Sequence, residues 1–240
     1  MTNDRKPLGI SPWWRHGAVL TVIVGITGLM FMGRNTYKGA PPYFNAVTTE
    51  GRTLFTSDDI VAGQSVFQKF GLMDYGTLFG HGGYRGPDFT ADTLHQLAVG
   101  LKDTYAHDLG SEAFASLSEN DRAIVSDRVI RELKTNRYDE ASGNVTVSPA
   151  YALAFESLVA RTTALFKDGS KKLPLPANYI SDTTDLRTLS AFFAWSAWAA
   201  VTPRPGKDHS YTNNWPPDNE AGNRPSLAVI LWSALSIISL

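Results

Sequence analysis

Seventeen consecutive residues without a charge, 17–33 (GAVLTVIVGITGLMFMG), limit this chain more than any other feature. Their eight Val, Leu, Ile and Phe residues favour a bilayer by about 3–5 kcal/mol, and no charged residue opposes them. Trp13 and Trp14 stand at the start of the run, where interfacial indoles are common. Arg5, Lys6 and Arg15 precede it and favour a cytoplasmic N-terminus, while Arg34 and Lys38 follow closely and weaken that preference. A cleaved signal peptide is the competing reading. The following RNTYKGAPPYF has no A-x-A cleavage site, which favours an uncleaved anchor.

A second apolar run, 227–240 (LAVILWSALSIISL), follows Pro225 and has neither a charge nor a polar face. A crossing helix needs about 20 residues, so this run reads as the first part of a second membrane helix. The expectation is a chain that is the front end of a longer protein: an anchor with a short cytoplasmic tail (1–36), a soluble domain (37–224) and the start of a second transmembrane helix (225–240).

The middle of the chain is mainly helical by its spacing. Ser57 is placed to cap a helix bearing Ile60, Val66, Phe67 and Phe70, stopped by Gly71. Thr90 is placed to cap the next, with Leu94, Leu97, Leu101, Tyr105 and Leu109 on one face. Ser118 opens a third helix, and Ser148-Pro149 a fourth that ends at Gly169. Asp182 caps a last one containing FFAWSAWAAV, too short to cross a bilayer. Only NVTVS hints at a strand.

Chemistry sought from single residues comes out empty. The net charge of −1 gives no reason to expect a nucleic-acid partner. Without cysteine there is no disulfide, thiolate metal site or thioether-bound haem. His95 and His107 are twelve positions apart, about 120° around one helix, and face no common site. No H-E-x-x-H, nucleophile triad or phosphate loop is present. One stretch still stands out. QKFGLMDYGTLFGHGGYRGPDFT (68–90) packs glycine among aromatic rings, as if backbone were folded tightly around something.

Residues 63–95 (GQSVFQKFGLMDYGTLFGHGGYRGPDFTADTLH) and 192–217 (FFAWSAWAAVTPRPGKDHSYTNNWPP) closely resemble the N-terminal region of quinol-dependent nitric oxide reductases, single-chain membrane enzymes of the haem–copper oxidase superfamily. The first stretch also resembles the cytochrome c subunit of the two-chain nitric oxide reductases, where K-Y-x-C-x-x-C-H-T-L-L-G-x-G-x-Y binds a covalent haem. Against that motif, Leu72 and Tyr75 stand at the two cysteines and Gly76 at the axial histidine. LPLPANY stands where the cytochrome has its distal methionine.

The resemblance implies a cytochrome c-like helical domain that carries no haem. Its pocket would be refilled by Leu72, Met73, Tyr75 and Phe79, with bulk from Phe67, Phe70 and Tyr84. A void costs about 24 cal/mol per Å³, so one the size of haem could not stay empty. The resemblance further implies an enzyme that joins two NO into N₂O and water with electrons from quinol. Haem b, high-spin haem b3 and a non-haem iron would be held by later membrane helices, and no residue of this chain would be catalytic. Gly82 and Tyr84 match the relatives' calcium ligands, and Arg85 is suited to a haem propionate. His81 stands where those relatives carry an acid. The implied partners are the bilayer, the catalytic helix core and quinol. The implied location is a bacterial or archaeal inner membrane, with the soluble domain on the extracytoplasmic (periplasmic) side. A stand-alone haem-less subunit docked on a separate catalytic chain is the alternative.

Overall fold

The computed structural model describes residues 11–82, 85–170 and 173–239. They form two compact units, Met1–Pro41 and Pro42–Leu240.

The first unit is helix α1, Pro12–Lys38. The Ser11 hydroxyl caps it by accepting Trp13 N, with proline in its first turn. Residues Trp13–Lys38 are long and apolar enough to cross a membrane, and no residue of their most apolar window is buried. Thr21 and Thr36 return their hydroxyls to the Gly17 and Met32 carbonyls at 2.9 and 3.0 Å, so neither leaves an unpaired donor on an apolar face.

In the second unit, strands β1 (Asn45–Thr48) and β2 (Thr53–Phe55) precede α2 (Ser57–Lys69), α3 (Phe89–Asp108) and α4 (Glu119–Lys134). Then come β3 (Tyr138–Asp139), β4 (Asn144–Val147), α5 (Pro149–Asp168), α6 (Thr183–Val201) and α7 (Leu227–Ile238). The architecture is mainly α, as expected, with one small sheet ordered β2-β1-β4-β3. β1 and β4 run parallel from Asn45 opposite Asn144 to Thr48 opposite Val147, joining the start of the domain to its middle. Strands of two to four residues are too short to show a period of two, which is why only β4 is foreshadowed by NVTVS.

The helix starts follow side-chain caps. Ser118, Ser148 and Asp182 accept the expected N–H groups of α4, α5 and α6. Gly71 and Gly169 take φ of +59° and +74° where α2 and α5 end. Three expectations need correction. Thr56, not Ser57, caps α2, because the Asp59 carboxylate answers Thr56 N at 2.7 Å and completes a capping box. Asp88, not Thr90, caps α3 by accepting Ala91 N at 2.9 Å. Leu109 lies just past the end of α3 and is exposed.

Helix α6 is the centre. Every residue from Thr188 to Val201 is buried, so it has no polar face. Its hydroxyls are met internally: Ser190 Oγ donates to Leu186 O at 2.8 Å, and Ser196 Oγ lies 2.9 Å from Thr90 Oγ1 on α3. Trp195 Nε1 donates to Pro42 O at 2.9 Å. Helix α2 comes so close that a Cβ on Gly63 would lie 2.0 Å from the Thr188 carbonyl oxygen. Helix α7 ends the unit with its large apolar side chains exposed.

Candidate functional site

The glycine- and aromatic-rich stretch forms a 3-10 turn at Leu72–Asp74 and then a loop that returns to α3. The loop is organised by Asp88. One carboxylate oxygen accepts Thr77 Oγ1 and Gly80 N, each at 2.8 Å, while the other caps α3. Thr77 N and Phe89 N complete a short bridge to Pro87 O and Thr77 O, at 3.1 and 2.7 Å. Phe79 N donates to Thr90 Oγ1 at 3.0 Å, so Thr90 serves the loop rather than the helix start.

What fills the middle differs in part from the expected set. Leu72 is fully buried, and Phe79 packs edge-on to Trp195 with centroids 6.1 Å apart. Met73 is 74% exposed and fills nothing. Tyr75 is half-buried and meets Tyr179 at 4.9 Å, not Phe67 or Phe70. The larger filling comes from Phe89, which the resemblance does not single out. It stacks on Phe193 at 4.8 Å and 7°, with Phe67 edge-on to both. An aromatic residue after a capping aspartate is its only local signal, and Thr90 obscures that cap.

Gly76 shows how closed the pocket is. A Cβ there would lie 2.5 Å from the Phe89 ring and 2.5 Å from Pro87 O. The position matching an axial histidine therefore has no room for a side chain. On the other side, Tyr179 Oη donates to Phe70 O at 2.7 Å, tying the segment after α5 directly to the end of α2. Burial, and then its interaction with Tyr75, hold the Tyr179 phenol above its ordinary range. With no cysteine, no room at Gly76 and the two walls in ring contact, the residues present do not fit a covalent haem.

The far edge of the loop meets the segment before α7. Trp215 Nε1 donates to Gly80 O at 2.8 Å, and a Cβ on Gly80 would collide with that indole at 2.1 Å. Gly80 also has φ of +73°, so geometry and contact both require glycine. Asn213 O accepts Ser226 N at 3.1 Å, one residue before α7. Two hydrogen bonds through the Asn213–Trp215 turn thus connect the loop to the start of α7. Trp215 is a long-range partner that no local pattern of the loop reveals.

Gly82 is exposed with φ of +69° and open space around it. Arg85 is exposed and lines an open hollow with Asp74 and Gly82. Tyr84 lies outside the described residues. No group of three or more His, Cys, Asp or Glu able to hold a metal occurs among the described residues. His95 and His209 instead lie 3.0 and 2.8 Å from the carboxylates of Asp218 and Asp208.

Fold and site together define a mainly helical domain in which aromatic rings pack tightly around a glycine-rich loop, in a chain that begins with a helix able to span a membrane. Residues 44–217 match the family model of the cytochrome c-like domain of NorB nitric oxide reductases, and the chain belongs to that family. No curated protein matches the chain.

Proposed function

We propose that this chain is the anchor and extracytoplasmic cap of a quinol-dependent nitric oxide reductase, which reduces two NO to N₂O and water with two electrons and two protons. The observation that carries this reading is the closed pocket within a nitric oxide reductase domain. Where an electron-relay haem would sit, Phe89 blocks Gly76 and Tyr75 meets Tyr179. Electrons then bypass the domain, as they do when the donor is a quinol in the bilayer. When bound, haem b, haem b3 and non-haem iron supply the redox chemistry, and their ligands belong to membrane helices outside these 240 residues.

In this reading the loop 77–88 faces the catalytic helices. Its hydrogen-bonded link to the start of α7 supports that orientation. The Arg85 guanidinium balances a haem propionate, and the Gly82 carbonyl and Tyr84 phenol offer two hard oxygens to calcium. The rest of that calcium shell comes from outside this chain.

The test is turnover of the membrane complex containing this chain. NO consumption is expected with a reduced quinol and not with reduced cytochrome c. Equal rates with cytochrome c, or none with quinol, would overturn the proposal. Sidedness is read separately from a reporter inserted near Gly143, at the exposed Ala141 and Ser142, expected to be active only outside the cytoplasm.

A further inference from the structure

Phe79 stands at φ of +55°, a left-handed conformation that a bulky aromatic residue rarely takes. Such a residue persists only where its surroundings over-determine it, and strain of this kind gathers at functional sites. Here two successive N–H groups of the kink are both held. Phe79 N donates to Thr90 Oγ1 at 3.0 Å, and Gly80 N donates to Asp88 Oδ2 at 2.8 Å.

The first hold runs on into the core. Ser196 Oγ donates to Phe193 O at 2.8 Å, so of the two hydroxyls 2.9 Å apart it is Thr90 that donates to Ser196. Phe79 N, Thr90 Oγ1, Ser196 Oγ and Phe193 O thus form one line of hydrogen bonds from the loop to α6. The second hold is the Asp88 carboxylate. Its Oδ1 accepts Ala91 N at 2.9 Å and caps α3, which is all the helix asks of it. Its Oδ2 accepts both Gly80 N and Thr77 Oγ1, the latter also at 2.8 Å, and serves the loop alone. The neck of the loop is closed as well, since a Cβ on Gly86 would lie 1.6 Å from Tyr75 O.

We infer that Asp88 is a positioning residue, whose second oxygen holds residues 77–82 in this strained pose for contact with the catalytic helices. The use of the pose in turnover rests on the function proposed above; the hold of Asp88 on the loop does not. Asp88 acts through the loop backbone and touches no substrate.

Asp88→Asn separates its two duties. Asparagine caps a helix about as well as aspartate, but it has one oxygen, and its NH₂ cannot accept from Gly80 N or Thr77 Oγ1. In the 240-residue chain in nanodiscs, hydrogen exchange of segment 77–82 should quicken about tenfold, while α3 and α6 keep their protection. In the membrane complex, kcat with a reduced quinol, taken per haem b, should fall several-fold with KM unchanged, because no contact with quinol is lost. Asp182→Asn is the control, since the Asp182 carboxylate accepts only Thr184 N and Asp185 N of its own helix. It should leave exchange in 77–82 and turnover at wild-type values. If Asp88→Asn does not fold, Thr77→Val carries the same comparison, with Thr77→Ser expected to restore both readings. Unchanged exchange in 77–82, quickened exchange with unchanged kcat, or an equal loss in Asp182→Asn would overturn the inference. A wild-type complex that turns over with no quinol defeats the quinol reading instead, and hydrogen exchange alone then judges the hold of Asp88 on the loop.

Discussion

Helices α1 and α6 each hold a long apolar stretch, yet no residue of the most apolar window of α1 is buried and α6 is buried on every side from Thr188 to Val201. Hydrophobicity alone does not separate them. Length does: the buried stretch of α6 is fourteen residues, about 21 Å at 1.5 Å per residue, short of a bilayer core of about 30 Å. Trp13–Lys38 reaches about 39 Å by the same rise and clears it. Small residues also do different work. In α6, alanines and serines alternate with aromatic rings, so α2 and α3 approach closely and the rings fill the gaps between them. In α1, Gly17, Gly25, Gly28 and Gly33 have nothing near them. The small residues of α6 are thus contact surfaces, whereas those of α1 leave its apolar face open.

The harshest way to break this comparison is one carboxylate in each helix. Ala194→Asp buries an unpaired charge in α6 and should cost about 3–5 kcal/mol or more, a large share of a typical domain stability of about 5–15 kcal/mol. Loss of a cooperative melt, or of folded protein altogether, is the expected readout. Val22→Asp should leave that melt unchanged. Its insertion penalty of about 2.5–3.5 kcal/mol nearly cancels the apolar gain of the run, so protein should shift from the membrane to the soluble or aggregated fraction. An unfolded domain in Val22→Asp, or a stable one in Ala194→Asp, would mean the two helices have been assigned the wrong surroundings.

Next in size is the closed pocket beside α6. Phe89→Ala removes a buried ring stacked on Phe193 and should cost about 3–5 kcal/mol in chemical denaturation. Tyr75→Ala, in the same pocket but half-buried against Tyr179, should cost roughly 1 kcal/mol. The reverse order would show that Tyr75, not Phe89, fills the old pocket. Sequence resemblance points to Leu72, Met73, Tyr75 and Phe79 because they lie within the motif. The structure keeps Leu72 and Phe79, leaves Tyr75 at the edge and turns Met73 outward.

The same boundary separates what is legible in the sequence from what is not. Helices α3 to α6 are long enough to show their period, and Ser118, Ser148 and Asp182 mark three of their starts. The sheet is hidden because its longest strands have four residues and pair across almost a hundred positions, Asn45 with Asn144. At the candidate site, the glycines announce close backbone approach. Their partners stay hidden, since Gly80 meets Trp215 and Gly76 meets Phe89 only after the chain has folded. The replacement of Cys, Cys and His by Leu72, Tyr75 and Gly76 is visible once the motif is aligned. That Phe89 occupies the resulting space emerges only from the folded chain.

A gentler pair of changes should split in sign. Gly63→Ala places a Cβ 2.0 Å from Thr188 O and 2.8 Å from Phe192 Cβ, so α2 must move away from α6. Overpacking of this kind costs about 1–3 kcal/mol, and backbone contact puts this case at the upper end. Gly25→Ala meets nothing within 4 Å and gains helix propensity of about 0.8–1.0 kcal/mol. Domain melting for the first and helicity of α1 in detergent for the second are the measurements. A Gly63→Ala protein as stable as wild type would show that the α2–α6 approach is looser than described.

The smallest expected effect lies where α6 leaves the core. Its first two turns are polar, and Arg187 grips Glu156 of α5 with two hydrogen bonds of 2.9 and 3.0 Å while reaching Leu54 O at 3.2 Å. Hydrogen bonding from Arg187 holds the Glu156 carboxyl below its ordinary range. A carboxyl with a depressed folded-state pKa stabilises fully above its unfolded value, and that contribution is lost as pH falls through the folded value. Both side chains remain about two-fifths exposed, so solvent screening limits the pair to about 0.2–1 kcal/mol. The difference in urea midpoint between wild type and Glu156→Gln should therefore be small at neutral pH, and shrink further with added salt. It should vanish in acid, below the depressed carboxyl value. Asp182, also held below its ordinary range by the backbone N–H groups it caps, titrates in both proteins and cancels from the difference. A gap that persists in acid would mean the glutamine disturbs packing against α5 rather than removing a charge. A gap of several kcal/mol at neutral pH would mean that this end of α6 is as buried as its middle.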